Sequence, residues 1–223
     1  MPAWARVGEC PPRITLAGAN PLMVAAEAAD HDDVRSWSCV LAMVVAFGGI
    51  ATEGRAVERS DVTTLLLTKR DAGAGYSLNR DFTQRSTLAE RSKGMGATSR
   101  RDLAAKWVGG AQTGFNGSAA VSHQSIISTA DVFRTSSVAS IRKAWEARYL
   151  ELGSGARLAI PRGAPGDARF LMRGRMLSSN GTKLEVLLYQ WQRGKTLQSV
   201  WLIARPGVPR VPRLIALARL QAA

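Results

Sequence analysis

Three side chains of this 223-residue sequence are candidates for proton-transfer chemistry: Glu185, Asp131 and His123. Glu185 lies in an apolar run, Leu184 to Gln192, that reads as a strand. A strand carboxylate inside a cone-shaped pocket would have a raised pKa and could act as a base. The competing reading is an ion pair with Arg173, Arg175 or Lys195 on a neighbouring strand. Asp131 is the second carboxylate weighed as a base. His123 could serve a Ser-His-Asp triad only with Ser125 or Ser128 and Asp131, and no G-x-S-x-G elbow is present. A lone histidine at a strand end also reads as a surface or capped residue. Glu146 and Glu151 fall on or near a helix and are expected on its solvated face.

Other chemistries are excluded by residue type. From residue 57 onward there is one histidine and no cysteine. A cysteine nucleophile is therefore ruled out there, as is a Cys/His zinc site built within one chain, and no metal or other cofactor is expected. Neither glycine-rich phosphate-loop pattern occurs in a strand-to-helix context. The binding candidates are Trp191, Arg193 and Lys195 at a hairpin tip, with Arg173 and Arg175 on the adjoining strand. An exposed tryptophan there could stack on a base or glycan, and core packing is the alternative. Trp145 sits at helical spacing and reads as core.

The charge is uneven. The whole chain carries +13, while residues 57–223 hold 26 basic and 11 acidic groups, a net +15. Such a domain attracts anionic polymers. Only six of those cations are lysine and none form a block, so arginine-rich composition is the competing explanation.

Val40 to Ile50 (VLAMVVAFGGI) is too short to span a bilayer comfortably but fits the apolar region of a signal peptide. Gly49 and Ala51 supply the small residues of a cleavage site, and Gly54 with Ala56 is a second option. Asp30, Asp32 and Asp33 are acidic where such a leader should be basic. Initiation at Val34 would remove them and leave residues 1–33 untranslated; otherwise residues 1–38 read as an irregular leader, and 39–56 is the export segment. The alternative is that 39–50 belongs to the fold of a cytoplasmic protein. No run of about 20 apolar residues exists, so multi-pass membrane insertion is not expected.

Residues 57–223 read as one domain. Asp61 to Thr68 suggests a short helix after Ser60-Asp61. Strands are expected at Tyr76–Gln84, Ala111–Phe115, Gln124–Phe133, Phe170–Leu177, Leu184–Gln192 and Thr196–Ala204. Val138, Ile141, Trp145, Tyr149 and Leu152 recur at spacings of three and four, which predicts a long helix over 136–152, stopped by Gly153-Ser154-Gly155. Ser179-Asn180-Gly181 signals a hairpin turn. Both faces of the hairpin at 184–204 are apolar, so it should lie centrally, covered on both sides. Val211 to Gln221 closes with a helix. The order predicts an α+β domain, an antiparallel sheet of five to six strands with a long helix and a C-terminal helix packed on it.

The runs LLLTKRDAGAGYSLN at 65–79, STADVF at 128–133, YQWQRGK at 189–195 and ALARLQ at 216–221 resemble small exported proteins and lipoproteins of actinobacteria and related GC-rich bacteria. The resemblance spans about 60–221 and implies an α+β sheet of PsbP/Mog1-like or cystatin/NTF2-like kind. It carries over no catalytic residue, and Cys39 lacks the lipobox of the lipoprotein members. The expectation is an exported, non-catalytic, envelope-associated binding module of unknown ligand. An envelope protein or an anionic polymer is its expected partner, with nucleic acid not favoured. The alternatives are a basic domain that binds anionic polymers and an NTF2-like pocket enzyme with a carboxylate base.

Overall fold

The computed structural model describes residues 62–152, 154–178 and 181–223. The leader and export segment read from the sequence, the Ser60-Asp61 cap, Gly153, and Ser179-Asn180 of the hairpin turn lie outside them.

Seven strands among the described residues form one wholly antiparallel sheet: β1 (Tyr76–Ser86), β2 (Trp107–Gly117), β3 (Ser125–Phe133), β4 (Ala156–Arg157), β5 (Asp167–Leu177), β6 (Lys183–Arg193) and β7 (Thr196–Ala204). Their order is β1-β2-β3-β7-β6-β5-β4. Two meanders, β1–β3 and β4–β7, meet where β7 pairs with β3. The strand count exceeds the sequence expectation by one. β4 is only two residues long, held by Ala156 opposite Arg173 and Arg157 opposite Met172, and so short a strand has no periodicity to read. The helices are α1 (Lys69–Ala72), α2 (Leu88–Ser92), α3 (Ala97–Lys106), α4 (Ala139–Leu152) and α5 (Val211–Ala222). Where a short helix was expected over 61–68, the chain forms a 3-10 turn at Val62–Leu65 and then α1, because Thr68 and Asp71 cap each other's backbone N–H groups.

Strand alternation sorts the core into two layers. On one face Phe115, Ile126, Leu171, Leu187, Tyr189, Trp191, Val200 and Leu202 pack against α5, which buries Leu214, Ile215, Leu217 and Ala218. Ser128 on this face ties β3 to α5 and to the chain at Leu67. Its hydroxyl donates to Gln221 Oε1 at 2.7 Å and accepts from Leu67 N at 3.1 Å. The opposite face is covered by α2, α3 and α4 and holds two apolar clusters. Phe133 and Leu197 pack with Met95, Leu103, Val138, Ile141 and Trp145. Ile127, Leu188, Trp201 and Ile203 pack with Phe82 and the half-buried Tyr149. Phe82 reaches the sheet because residue 114 is glycine, where a Cβ would stand 2.6 Å from the Phe82 Cβ.

Candidate functional site

Between those two clusters the sheet turns polar. Gln112, Thr129, Ser199 and Gln190 are register neighbours on β2, β3, β7 and β6, so they form one row across the sheet. All four are buried. Thr129 and Ser199 share a hydrogen bond of 2.7 Å, and Trp201 Nε1 donates to Ser199 Oγ at 3.1 Å. Gln112 Nε2 and Gln190 Oε1 are buried without a hydrogen-bond partner. Unmet buried groups of this kind call for an explanation in strain, an unseen water or a ligand.

Asp131 stands at the end of this row, 2 % exposed. It projects over Gly110, its register partner on β2, where a Cβ would lie 2.3 Å from Oδ1. Glycine at 110 is therefore what admits the carboxylate. Trp107 Nε1 donates to Oδ1 at 2.9 Å, and Arg91 Nε forms an ion pair with the same oxygen at 2.9 Å. The Arg91 guanidinium also lies 5.8 Å from the centre of the Trp145 ring, and Trp145 Nε1 donates to the Arg91 carbonyl at 3.1 Å. Burial raises the Asp131 pKa, opposed by the Arg91 charge and the Trp107 and Arg91 contacts. The Tyr149 hydroxyl is likewise raised, first by burial and then by Asp131, with Arg91 and Arg148 opposing. Its ring meets Trp201 edge to face at 4.9 Å. The arrangement can hold a proton, and it fastens α2 and α4 to the sheet. A carboxylate oxygen that accepts from Trp107 and is ion-paired to Arg91 is held by both rather than free to swing to a substrate.

The other catalytic candidates are scattered. Glu185 faces the α5 side of the sheet. Gly207 N donates to its Oε2 at 2.8 Å, and Arg173 Nε lies 3.1 Å from Oε1, although no N–H is aligned on that oxygen. It is thus the ion pair weighed against a basic role. His123 has left-handed backbone (φ 51°) in the turn before β3, and its N–H donates to Ser118 O at 2.9 Å. At about 3.3 Å per strand residue it lies about 25 Å along the strand from Asp131. Ser128 and Asp131 point to opposite faces, so these residues form no triad. Glu146, expected on the solvated face, is 2 % exposed. It bonds Arg142 and accepts from Arg157 NH2 at 2.9 Å, tying α4 to β4.

The binding candidates are not one patch. Trp191, expected as an exposed contact, is fully buried and stacks on Tyr189 at 5.4 Å. The loop before β5 covers it: a Cβ at Gly166 would lie 2.3 Å from Trp191 Cδ1, and Tyr189 donates its hydroxyl to Pro165 O at 2.6 Å. Arg173 and Arg175 pair with Leu187 and Glu185, whereas Arg193 is the last residue of β6 and Lys195 lies in the turn beyond it. The six steps along the strand from Leu187 to Arg193 separate them by about 20 Å. Arg193 is also engaged, donating to Ala222 O.

A site that sequence reasoning missed lies at the start of α5. A groove of about 450 Å³ opens there between α1, the turn before β3 and the loop that enters α5. Tyr76, Ser122, Gln124, Arg210 and Arg213 are its polar lining, and no acidic residue among the described residues lines it. Arg213 NH2 donates to the Ala72 carbonyl at 2.6 Å. Tyr76 donates its hydroxyl to Gln124 Oε1 at 2.8 Å, and burial raises the Tyr76 pKa against the nearby Arg213 charge. The visible signal was the proline spacing 206, 209 and 212, which ends β7 and starts α5 beside two arginines.

Among the described residues no group of three His, Cys, Asp or Glu could hold a metal ion, and no helix is long and apolar enough to cross a membrane. No family model matches the chain, and no curated protein matches it in sequence. Among solved structures, the extracellular domain of PknH from Mycobacterium tuberculosis aligns with a TM-score of 0.47 at 9% identity, over 75% of this chain and 96% of that domain.

Proposed function

We propose that the chain is an exported, non-catalytic binding module of the cell envelope, with its ligand site in the groove at the start of α5. The observation that carries this reading is the contrast in how charges are used. Asp131 is tied to Arg91 and Trp107, and Glu185 to Arg173 and Gly207. Arg210 and Arg213 instead face an open groove with no acidic residue among the described residues of its lining. A concave site with a few convergent polar groups on apolar walls is the usual form of a ligand pocket. Export rests on the apolar segment Val40–Ile50 and the small residues after it.

Fractionation of the native host tests the reading of export. The intact mass and N-terminal sequence should place the start of the mature chain near Thr52 or Val57, outside the cytoplasmic membrane. An uncleaved chain in the cytosol would refute export and move nucleic acid up as the partner of a domain of this charge.

A further inference from the structure

We propose that the groove at the start of α5 binds the anionic head of a small amphiphile, a carboxylate or phosphate ester with a short apolar body. The inference rests on the reading of this domain as a binding module and names the chemistry of its ligand.

Four observations point the same way. First, the positive end of α5 is uncompensated. Arg210 at its N-cap offers no side-chain acceptor, and no acidic residue stands in the first turn. A 12-residue helix with that start favours an anion. Second, Arg213 is already oriented by its bond to the Ala72 carbonyl. A guanidinium held in place loses less freedom when it takes a carboxylate or phosphate. Third, Gln124 is 94% buried (6% exposed) and lines the groove. Its Oε1 accepts from the Tyr76 hydroxyl, so its amide NH2 is the end with which this side chain can donate to a ligand. Fourth, Ala72, Ala74, Val121 and Val208 make most of the remaining wall apolar, with Ser122 its polar member, which suits a short hydrocarbon body better than a bare ion.

The geometry assigns the roles. Arg213 takes the head group, Gln124 donates a neutral hydrogen bond, and Arg210 at the exposed rim draws the anion in. Gly73, with φ +96°, turns the chain at the end of α1 beside Arg213, in a conformation that L side chains rarely adopt.

The test is an amide-resolved NMR titration of the full chain with three probes: octyl phosphate, decanoate and octanol. One or both anions should shift the amides of Gly73, Ser122, Gln124 and Val211 saturably, and octanol should not. Arg210→Glu should weaken that binding about 10- to 100-fold, as should Arg213→Gln, which keeps a donor toward Ala72. Raised salt should weaken it further. The tighter anion identifies the head group, and equal binding would mean that charge alone is read. Octanol binding as tightly at the same amides would overturn the anion inference and leave the binding module standing. Silence from all three probes at those amides would overturn both. Anion binding unchanged in Arg210→Glu and Arg213→Gln would place it elsewhere and overturn the inference.

Discussion

The two charged regions of this domain treat their arginines in opposite ways. Beneath α4, Arg91 is 14% exposed at its side chain, paired to Asp131 and set beside the Trp145 ring. At the start of α5, Arg210 and Arg213 are exposed, and among the described residues no carboxylate lines their groove. Desolvation explains the first arrangement. An ion under a helix must be matched, because removing one partner of a buried pair leaves an uncompensated charge. Solvent permits the second, where an unmatched guanidinium at a groove remains available. The lesson is that the perturbed, enclosed carboxylate holds this fold together, while the proposed ligand site lies where the fold leaves charge unmatched.

The sharpest way to break this contrast is to strip the inner pair. Arg91→Met should lower stability by about 3–5 kcal/mol in urea unfolding at neutral pH. The sign with pH follows from Asp131. Its folded pKa is already raised and rises further without Arg91. The stability that its protonation confers is therefore full below the ordinary carboxyl value of about 3.9 and is lost as pH rises through the folded value. The deficit should narrow in acid and be widest toward neutrality. A deficit that does not change with pH would contradict the pairing.

A smaller effect is expected at Gly110. Alanine there would put a Cβ 2.3 Å from Asp131 Oδ1, so the carboxylate must shift away from Trp107 and Arg91. Overpacking of this kind costs about 1–3 kcal/mol, to be read from the unfolding midpoint. Wild-type stability for Gly110→Ala would mean that the carboxylate is loosely placed.

The row across the sheet gives a change of opposite sign. Gln190 Oε1 is buried without a partner, so Gln190→Leu should be neutral or stabilising by about 1 kcal/mol. A clear loss of stability would show that this oxygen has a partner in solution. Smallest is Arg210→Glu, an exposed change at the groove, which should leave stability within about 0.5 kcal/mol.

Alkaline titration sharpens the view of the sheet's other face. Burial pushes the Tyr189 hydroxyl up to about 12. The stability it confers is present below its ordinary value of about 10 and is lost as pH rises through about 12. Tyr189→Phe should abolish that alkaline loss, at a cost of about 1 kcal/mol at neutral pH for the bond to Pro165.

Much of the scaffold was legible because its signals are local. The spacing of Val138, Ile141, Trp145 and Tyr149 gave α4, and the double-faced apolar hairpin at 184–204 placed β6 and β7 centrally, as the sheet order confirms. The site was not legible, because its determinants are contacts between distant segments. Arg91 sits in a polar stretch with no marker, and only strand register brings Gly110 under Asp131. Trp191 looked exposed because its sequence neighbours are cations, yet the strand runs on to Arg193 and the loop at Pro165 and Gly166 folds over it. Glu146 looked solvated on a helix until Arg157 of β4 closed over it. Trp107 serves two elements at once, ending α3 and beginning β2.

The most direct test of this division of labour is thermal unfolding of Arg91→Met and Arg210→Glu beside the wild type, each with and without octyl phosphate. Arg91→Met is expected to melt earlier yet still be raised by the probe, and Arg210→Glu to melt like the wild type yet lose that rise. If Arg91→Met abolishes the response while Arg210→Glu retains it, the ligand site lies under α4 and the account is wrong.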